Sequence, residues 1–215
     1  MNVQRLPEIV KRSSLVVAPL LVLLSVIAMP TAASGSSDQI ASIGVHPDRW
    51  YAYTLLSLVS SVLLVPALLE LMERARQTRP LGAIVGAGLC FVGAFGAVAD
   101  SATQLVYWQM GTGNRAAMLA LADRYEHAAG ASAIFMVGGI SLIVGSVLLG
   151  TALGRSRAVP VWAAAAVPAG VLANILGFAA GSRAVLVASG VILLAGFVRA
   201  ATRPSAAAPA VASAA

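Results

Sequence analysis

The sequence predicts an all-α fold, a polytopic transmembrane bundle of six spans. Three observations carry this expectation. Apolar residues make up 59% of the 215-residue chain and charged residues only 10%, against roughly 25% charged in an ordinary soluble domain. A globule of this size has too little interior to hide so much apolar surface. The apolar residues also fall into runs of the length that crosses a bilayer, about 17–25 residues, and the basic residues gather in alternate intervening segments. Together these exclude a water-soluble enzyme, a nucleic-acid module and a disordered chain.

The runs lie at residues 14–29, 51–72, 81–108, 128–153, 158–180 and 184–200. Each must be a helix, because backbone groups in hydrocarbon find partners only within their own segment unless a barrel closes, and the short alternating stretches of a barrel are absent. Residues 1–13 form an N-terminal cytoplasmic segment, 14–200 the membrane domain, and 201–215 an Ala/Pro/Ser-rich tail of disordered composition.

The first span follows Arg5, Lys11 and Arg12 and ends at Pro30-Thr31-Ala32-Ala33-Ser34-Gly35. That pattern also reads as a secretory signal with a small-residue cleavage site, which would leave five spans. The length of the apolar run favours an uncleaved helix. Residues 30–48 then make a first outer loop, and Trp50, Tyr51 and Tyr53 open the second span. Tyr107 and Trp108 close the third span, and all five aromatics are expected in the outer interfacial belt. Residues 109–127 form a second outer loop. Within it, Met118, Leu119, Leu121, Ala122 and Tyr125 oppose Arg115, Asp123, Arg124 and Glu126, as on a helix lying along the membrane surface or on an extension of the fourth span.

Orientation follows from the basic residues, all Arg except Lys11. Arg5, Lys11, Arg12, Arg74, Arg76, Arg79, Arg155, Arg157, Arg199 and Arg203 fall in one set of segments, and only Arg49, Arg115, Arg124 and Arg183 in the other. The positive-inside rule then puts both termini in the cytoplasm of a cell-membrane protein. The net charge of +6 thus reads as topology signal and headgroup attraction, with no nucleic-acid partner. The Arg-, Ala- and Gly-rich composition points to a GC-rich bacterial source. Ser61-Val62-Leu63-Leu64-x-x-Ala67-Leu68 returns as Ser146-Val147-Leu148-Leu149-x-x-Ala152-Leu153, each followed by Arg-x-Arg and a proline. This pattern fits either a duplicated hairpin or chance in a Leu/Val/Ala-rich chain.

An ionisable side chain at mid-bilayer costs about 2.5–3.5 kcal/mol on insertion scales and invites a functional reading. Asp100 is the clear case, about 12 Å inside Trp108 along the third span. Gln104 and then Tyr107 or Trp108 share its face, while Gly82, Gly86, Gly93 and Ala97 give that helix a small-residue face for close approach. A homodimer through this glycine face is one expected partner. The second span adds Tyr53, Thr54, Ser57, Ser60 and Ser61, the fifth Asn174, and the fourth Glu126, His127 and Ser132. Glu70, in the otherwise apolar cytoplasmic half, is expected near the interface. Pro66 and Pro168 are candidates for kinks that widen a cavity.

The expected ligand-binding residues are Tyr53, Ser57, Asp100, Gln104, Tyr107 and Asn174, around an outward-facing polar pocket. Asp100 and His127 are the candidate catalytic pair. Packing alone is the competing role for Asp100 and Asn174, and a plain interfacial or loop position for His127 and His46.

Absences narrow the chemistry. The two histidines lie near outer loops, too few and too shallow for paired haems. No intramembrane Lys is available for a retinal Schiff base, and no Walker A, HExxH or prenyl-diphosphate acidic motif occurs. Gly139-Ile140-Ser141 lacks a histidine to activate its serine. The single Cys90 allows neither an internal disulfide nor a zinc site. No metal or cofactor is expected.

His46-Pro47-x-Arg49-Trp50-Tyr51, Pro66-Ala67-Leu68 and the stretch from Asp100 to Trp108-Gln109-Met110 resemble small six-span bacterial membrane proteins grouped as domains of unknown function. The resemblance extends over residues 45–200. It implies the six-span architecture and brings no reaction or ligand. Three functions remain in view, the first two being binding, sensing or transport of a small or amphipathic molecule, and an intramembrane enzyme acting on a lipid or isoprenoid with Asp100 as general acid. A scaffold without a small-molecule site is the third.

Overall fold

The computed structural model describes residues 6–32, 35–111 and 115–202. These form eight helices and no strand: α1 (Leu6–Ala28), α2 (Ser36–Val45), α3 (Pro47–Arg76), α4 (Pro80–Gly111), α5 (Arg115–Glu126), α6 (Ala129–Ser156), α7 (Val161–Ala179) and α8 (Arg183–Ala201). Six of them, all but α2 and α5, are long and apolar enough to cross a membrane. The protein is a multi-pass membrane protein. Arg5, Arg203, the Ala33-Ser34 part of the small-residue motif, the Glu126 side chain and the expected tail disorder after Thr202 lie outside the described residues.

Proline and glycine set the helix boundaries. Pro47 and Pro80 stand at the first positions of α3 and α4, and Pro160 immediately precedes α7, where a missing N–H costs nothing. α7 stops at a Schellman turn: the Ser182 N–H donates to Gly177 O over 2.9 Å and the Gly181 N–H to Phe178 O over 3.1 Å. Gly181 takes the left-handed φ of +60° that this turn needs. α3 and α7 run unbroken through Pro66 and Pro168, as α1 does through Pro19.

The spanning helices close a ring. α1 packs on α3, α3 on α4, α4 on α6, α6 on α7, α7 on α8, and α8 returns to α1. Their outward surface is apolar, with Val59, Val62, Leu81, Ile84, Phe95, Met136, Leu176 and Val191 exposed, while serines and Thr54 are buried inside. That inversion of the soluble pattern suits a chain whose solvent is hydrocarbon. Packing then depends on close contact, because lipid tails are as apolar as leucine. Small residues make the contact: a Cβ on Gly86 would come within 2.6 Å of the Leu149 amide nitrogen, and one on Gly145 within 2.6 Å of that of Cys90. The glycine face of α4 is therefore packed against α6 of the same chain.

Two hydrophobic plugs fill the ring. At the end where α1 begins and α8 finishes, Leu15, Leu71, Leu149, Leu153, Val167 and Phe197 form a tight cluster. At the opposite, aromatic end, Val26, Met29, Ile40, Ile43, Trp50, Tyr53, Tyr107 and Met110 form the other. The first outer loop is thus more than a loop. α2 folds back over the aromatic end and buries Ile40 and Ile43 there. α5 is a separate helix packed on α2, α4 and α6; its Met118, Leu119 and Ala122 join the same cluster, while Asp123 and Arg124 face out.

One sequence expectation changes. Trp50, Tyr53 and Tyr107 are not belt residues: α2 and α5 cover them, leaving 2%, 6% and 5% of their surface exposed. Only Tyr51 and Trp108 pair on the outside, their rings 5.0 Å apart. Glu70 is buried and paired with its expected neighbour Arg74. α1 is already helical from Leu6, within the segment expected to precede the membrane domain. Finally, the Ser61 and Ser146 of the repeated sequence pattern face one central cavity from α3 and α6.

Candidate functional site

The ring encloses a cavity of about 200 Å³ to which all six spanning helices contribute. Its walls include Val22 of α1, Leu64 of α3, Leu142 of α6, Val171 of α7 and Leu193 of α8; its floor is Leu68, Cys90 and Phe197, the top of the Leu71 plug. Polar groups gather towards the other end: Tyr53, Ser57, Ser60 and Ser61 from α3, Asp100 from α4 and Asn174 from α7. A second cavity of about 340 Å³ lies under α2, lined by Met29, Thr31, Gln39, Trp50, Tyr53, Asp100, Gln104, Phe178 and Ala179. A third, about 190 Å³, is bounded by Gln39, Asp100, Thr103, Gln104, Tyr107, Tyr125 and Phe135. Asp100 is common to all three.

The local sequence explains this placement. Asp100, Gln104 and Tyr107 follow one another at i, i+4 and i+7 on α4 and so look the same way. Tyr53, Ser57 and Ser61 repeat every four residues on α3, and its neighbour Trp50 is one turn earlier. The hydroxyls are anchored on their own helices. Thr54 Oγ1 donates to Trp50 O over 2.9 Å, Ser61 Oγ to Ser57 O over 2.9 Å, and Ser101 Oγ to Ala97 O over 3.0 Å. Ser60 crosses instead, donating to Ala18 O of α1 over 2.8 Å. Asn174 donates to Ser189 Oγ of α8 over 3.4 Å. Gln104, one turn after Asp100 on the same face of α4, stands beside its carboxyl group.

Two polar atoms here stay unmatched. Trp50 Nε1 and Gln104 Oε1 are both buried and have no hydrogen-bond partner among the described residues, and both side chains border the second cavity. A buried donor or acceptor left unmade costs about 1–3 kcal/mol, so such groups require an explanation.

All six expected ligand-binding residues border these cavities. Tyr53, Ser57, Asp100 and Asn174 meet in the central one, Gln104 joins Asp100 in the second and third, and Tyr107 lies in the third. His127 is not brought to them. Its ring sits at the exposed end of α5, with Nδ1 2.8 Å from Asp123 O and 3.5 Å from the Asp123 carboxylate. His46 is an exposed hinge between α2 and α3. Sequence reasoning did not single out Trp50 as a site residue, although its i, i+3 spacing to Tyr53 held the signal. Gln39 and Phe178 gave none, since their positions depend on how α2 folds back and how α7 leans. Among the described residues no group of three or more His, Cys, Asp and Glu side chains is placed to hold a metal ion.

Compared with known proteins, the chain matches no family model, no curated protein and no solved structure.

Proposed function

We propose that the protein binds a small amphipathic molecule, with its polar head at Asp100 and its apolar part in the cavity enclosed by the ring. The observation that carries this reading is the meeting of three cavities at one carboxyl group, with apolar walls on the far side and polar groups on the near side. A mostly apolar pocket with a few convergent polar groups is the usual form of a small-molecule site. In this reading the aromatic end faces outward, both termini are cytoplasmic, and the protein resides in the cell membrane; the distribution of arginines supports that orientation. Binding is favoured over acid catalysis because the imidazole meant to assist Asp100 is held at Asp123 on the exposed end of α5.

The test uses protein in zwitterionic nanodiscs carrying Trp108→Phe and Trp162→Phe, so that Trp50 alone fluoresces. Decanol, decylamine and decanoate are titrated, with empty discs as blank. At least one is expected to give a saturable change, abolished in Ala97→Phe, which fills the central cavity, at unchanged helicity. Titrations that follow the blank for all three would overturn the reading.

A further inference from the structure

Resting on that reading, the lining of the cavities specifies the head group. Asp100 is bordered by hydrogen-bonding and aromatic side chains, and no Lys, Arg or His lines any of the three cavities among the described residues. The carboxylate therefore has Gln104 for company and no counter-charge. Around it stand aromatic faces. Trp50 and Tyr53 meet edge-to-face at 5.7 Å in the second cavity, opposite Phe178, and Tyr107 and Tyr125 do so at 6.4 Å in the third. An acid ringed by aromatic faces attracts cations through both charge and ring quadrupole. The unmatched atoms refine the choice. Gln104 Oε1 needs a donor, which a quaternary ammonium lacks and a protonated amine has. Trp50 Nε1 needs an oxygen.

We propose that the site takes a protonated primary or secondary amine on a hydrophobic tail, its N–H groups shared between Asp100 and Gln104 Oε1. A hydroxyl next to the amine, or a water, accepts from Trp50. The tail runs along Val22, Leu64, Leu142 and Val171 towards Phe197, an apolar path lying on the far side of Asp100 from the second cavity. A water bridging Trp50 and Gln104 would satisfy those two atoms but brings no charge to Asp100, so the amine accounts for more of the site.

The experiment extends the same Trp50 titration with decyltrimethylammonium, giving four heads on one tail. Decylamine is expected to bind about tenfold or more tighter than decanol and decanoate, with decyltrimethylammonium between. Asp100→Asn is expected to remove the preference for decylamine over decanol while leaving decanol binding within about threefold. Gln104→Leu is expected to bring decylamine down to the level of decyltrimethylammonium. Decanol or decanoate binding as tightly as decylamine, or an amine preference that survives Asp100→Asn, would overturn the assignment while the amphiphile reading stands. Equal affinity of decylamine and decyltrimethylammonium would overturn the role of Gln104 Oε1. Failure of all four probes would sink both readings.

Discussion

Arg74, near the end of α3, donates to the main-chain carbonyl of Ala200 at the end of α8 over 2.6 Å. Glu70 holds the guanidinium in place, its Oε1 lying 2.9 Å from Nε and 2.7 Å from Nη2. The link joins two helices that are not neighbours in the ring. α1 stands between them, and Lys11 of α1 reaches Glu73 over 2.5 Å beside the same link. The guanidinium also caps the negative end of the α8 dipole. Arg74→Ala strands a buried carboxylate and is expected to destabilise the protein by about 3–5 kcal/mol, read as a fall in thermal midpoint in detergent. Replacing Glu70 and Arg74 together with Leu and Met is expected to cost far less, because no unpaired charge stays behind.

The α4–α6 contact makes a sharper prediction about size than about chemistry. A methyl on Gly145 would meet the Cys90 nitrogen at 2.6 Å and the Gly86 oxygen at 2.7 Å, both of them backbone that cannot step aside. Gly145→Ala is therefore expected to cost about 1–3 kcal/mol. Gly88, on α4 between Gly86 and Cys90, has nothing within 4 Å of its would-be Cβ. Gly88→Ala is expected to leave stability within about 0.5 kcal/mol or to raise it slightly. Parallel thermal denaturation of the two variants checks the contrast.

Orientation can be read with single cysteines, because the native Cys90 is only 1% exposed and stays silent to a bulky maleimide. A membrane-impermeant maleimide should label Asp48→Cys and Asp123→Cys in intact cells. Gln77→Cys and Thr202→Cys should react only after permeabilisation. The reverse pattern would turn the proposed topology over.

α1 is a wall of the ring and not an appendage. It buries Leu15, Ala18 and Val26, accepts from Ser60 at Ala18 O and from Arg183 at Ile27 O, and lends Pro19, Val22, Ser25 and Val26 to the central cavity. Protein purified from membranes is accordingly expected to keep this helix, read by mass spectrometry as peptides covering residues 15–28. A chain starting near Gly35 would contradict the expectation.

The six spans were legible because bilayer thickness imposes a length that composition alone reveals. Asp100, Gln104 and Tyr107 were legible for a related reason: helical spacing fixes a shared face without any tertiary information. The partners of Asp100 on other helices were another matter. Tyr53 and Asn174 were placed at similar depth by counting residues, but their meeting depends on the order of helices around the ring, which no single span encodes. α2 escaped notice because its only core-facing apolar residues in ten positions are Ile40 and Ile43, too brief a pattern to separate from a loop. His127 misled for the opposite reason. It is close to the site in depth, yet the end of α5 binds its ring locally to Asp123.

The leucine and phenylalanine plug beneath Cys90 makes the central chamber a cul-de-sac. A guest admitted from the aromatic end must back out by the way it came, unless Leu68, Leu149 and Phe197 part by the width of a side chain. Passage through the protein would demand the parting of this buried apolar layer, whereas occupancy alone asks only that α2 and α5 shift at the rim. In the proposed reading, such a chamber holds its guest more readily than it passes it on.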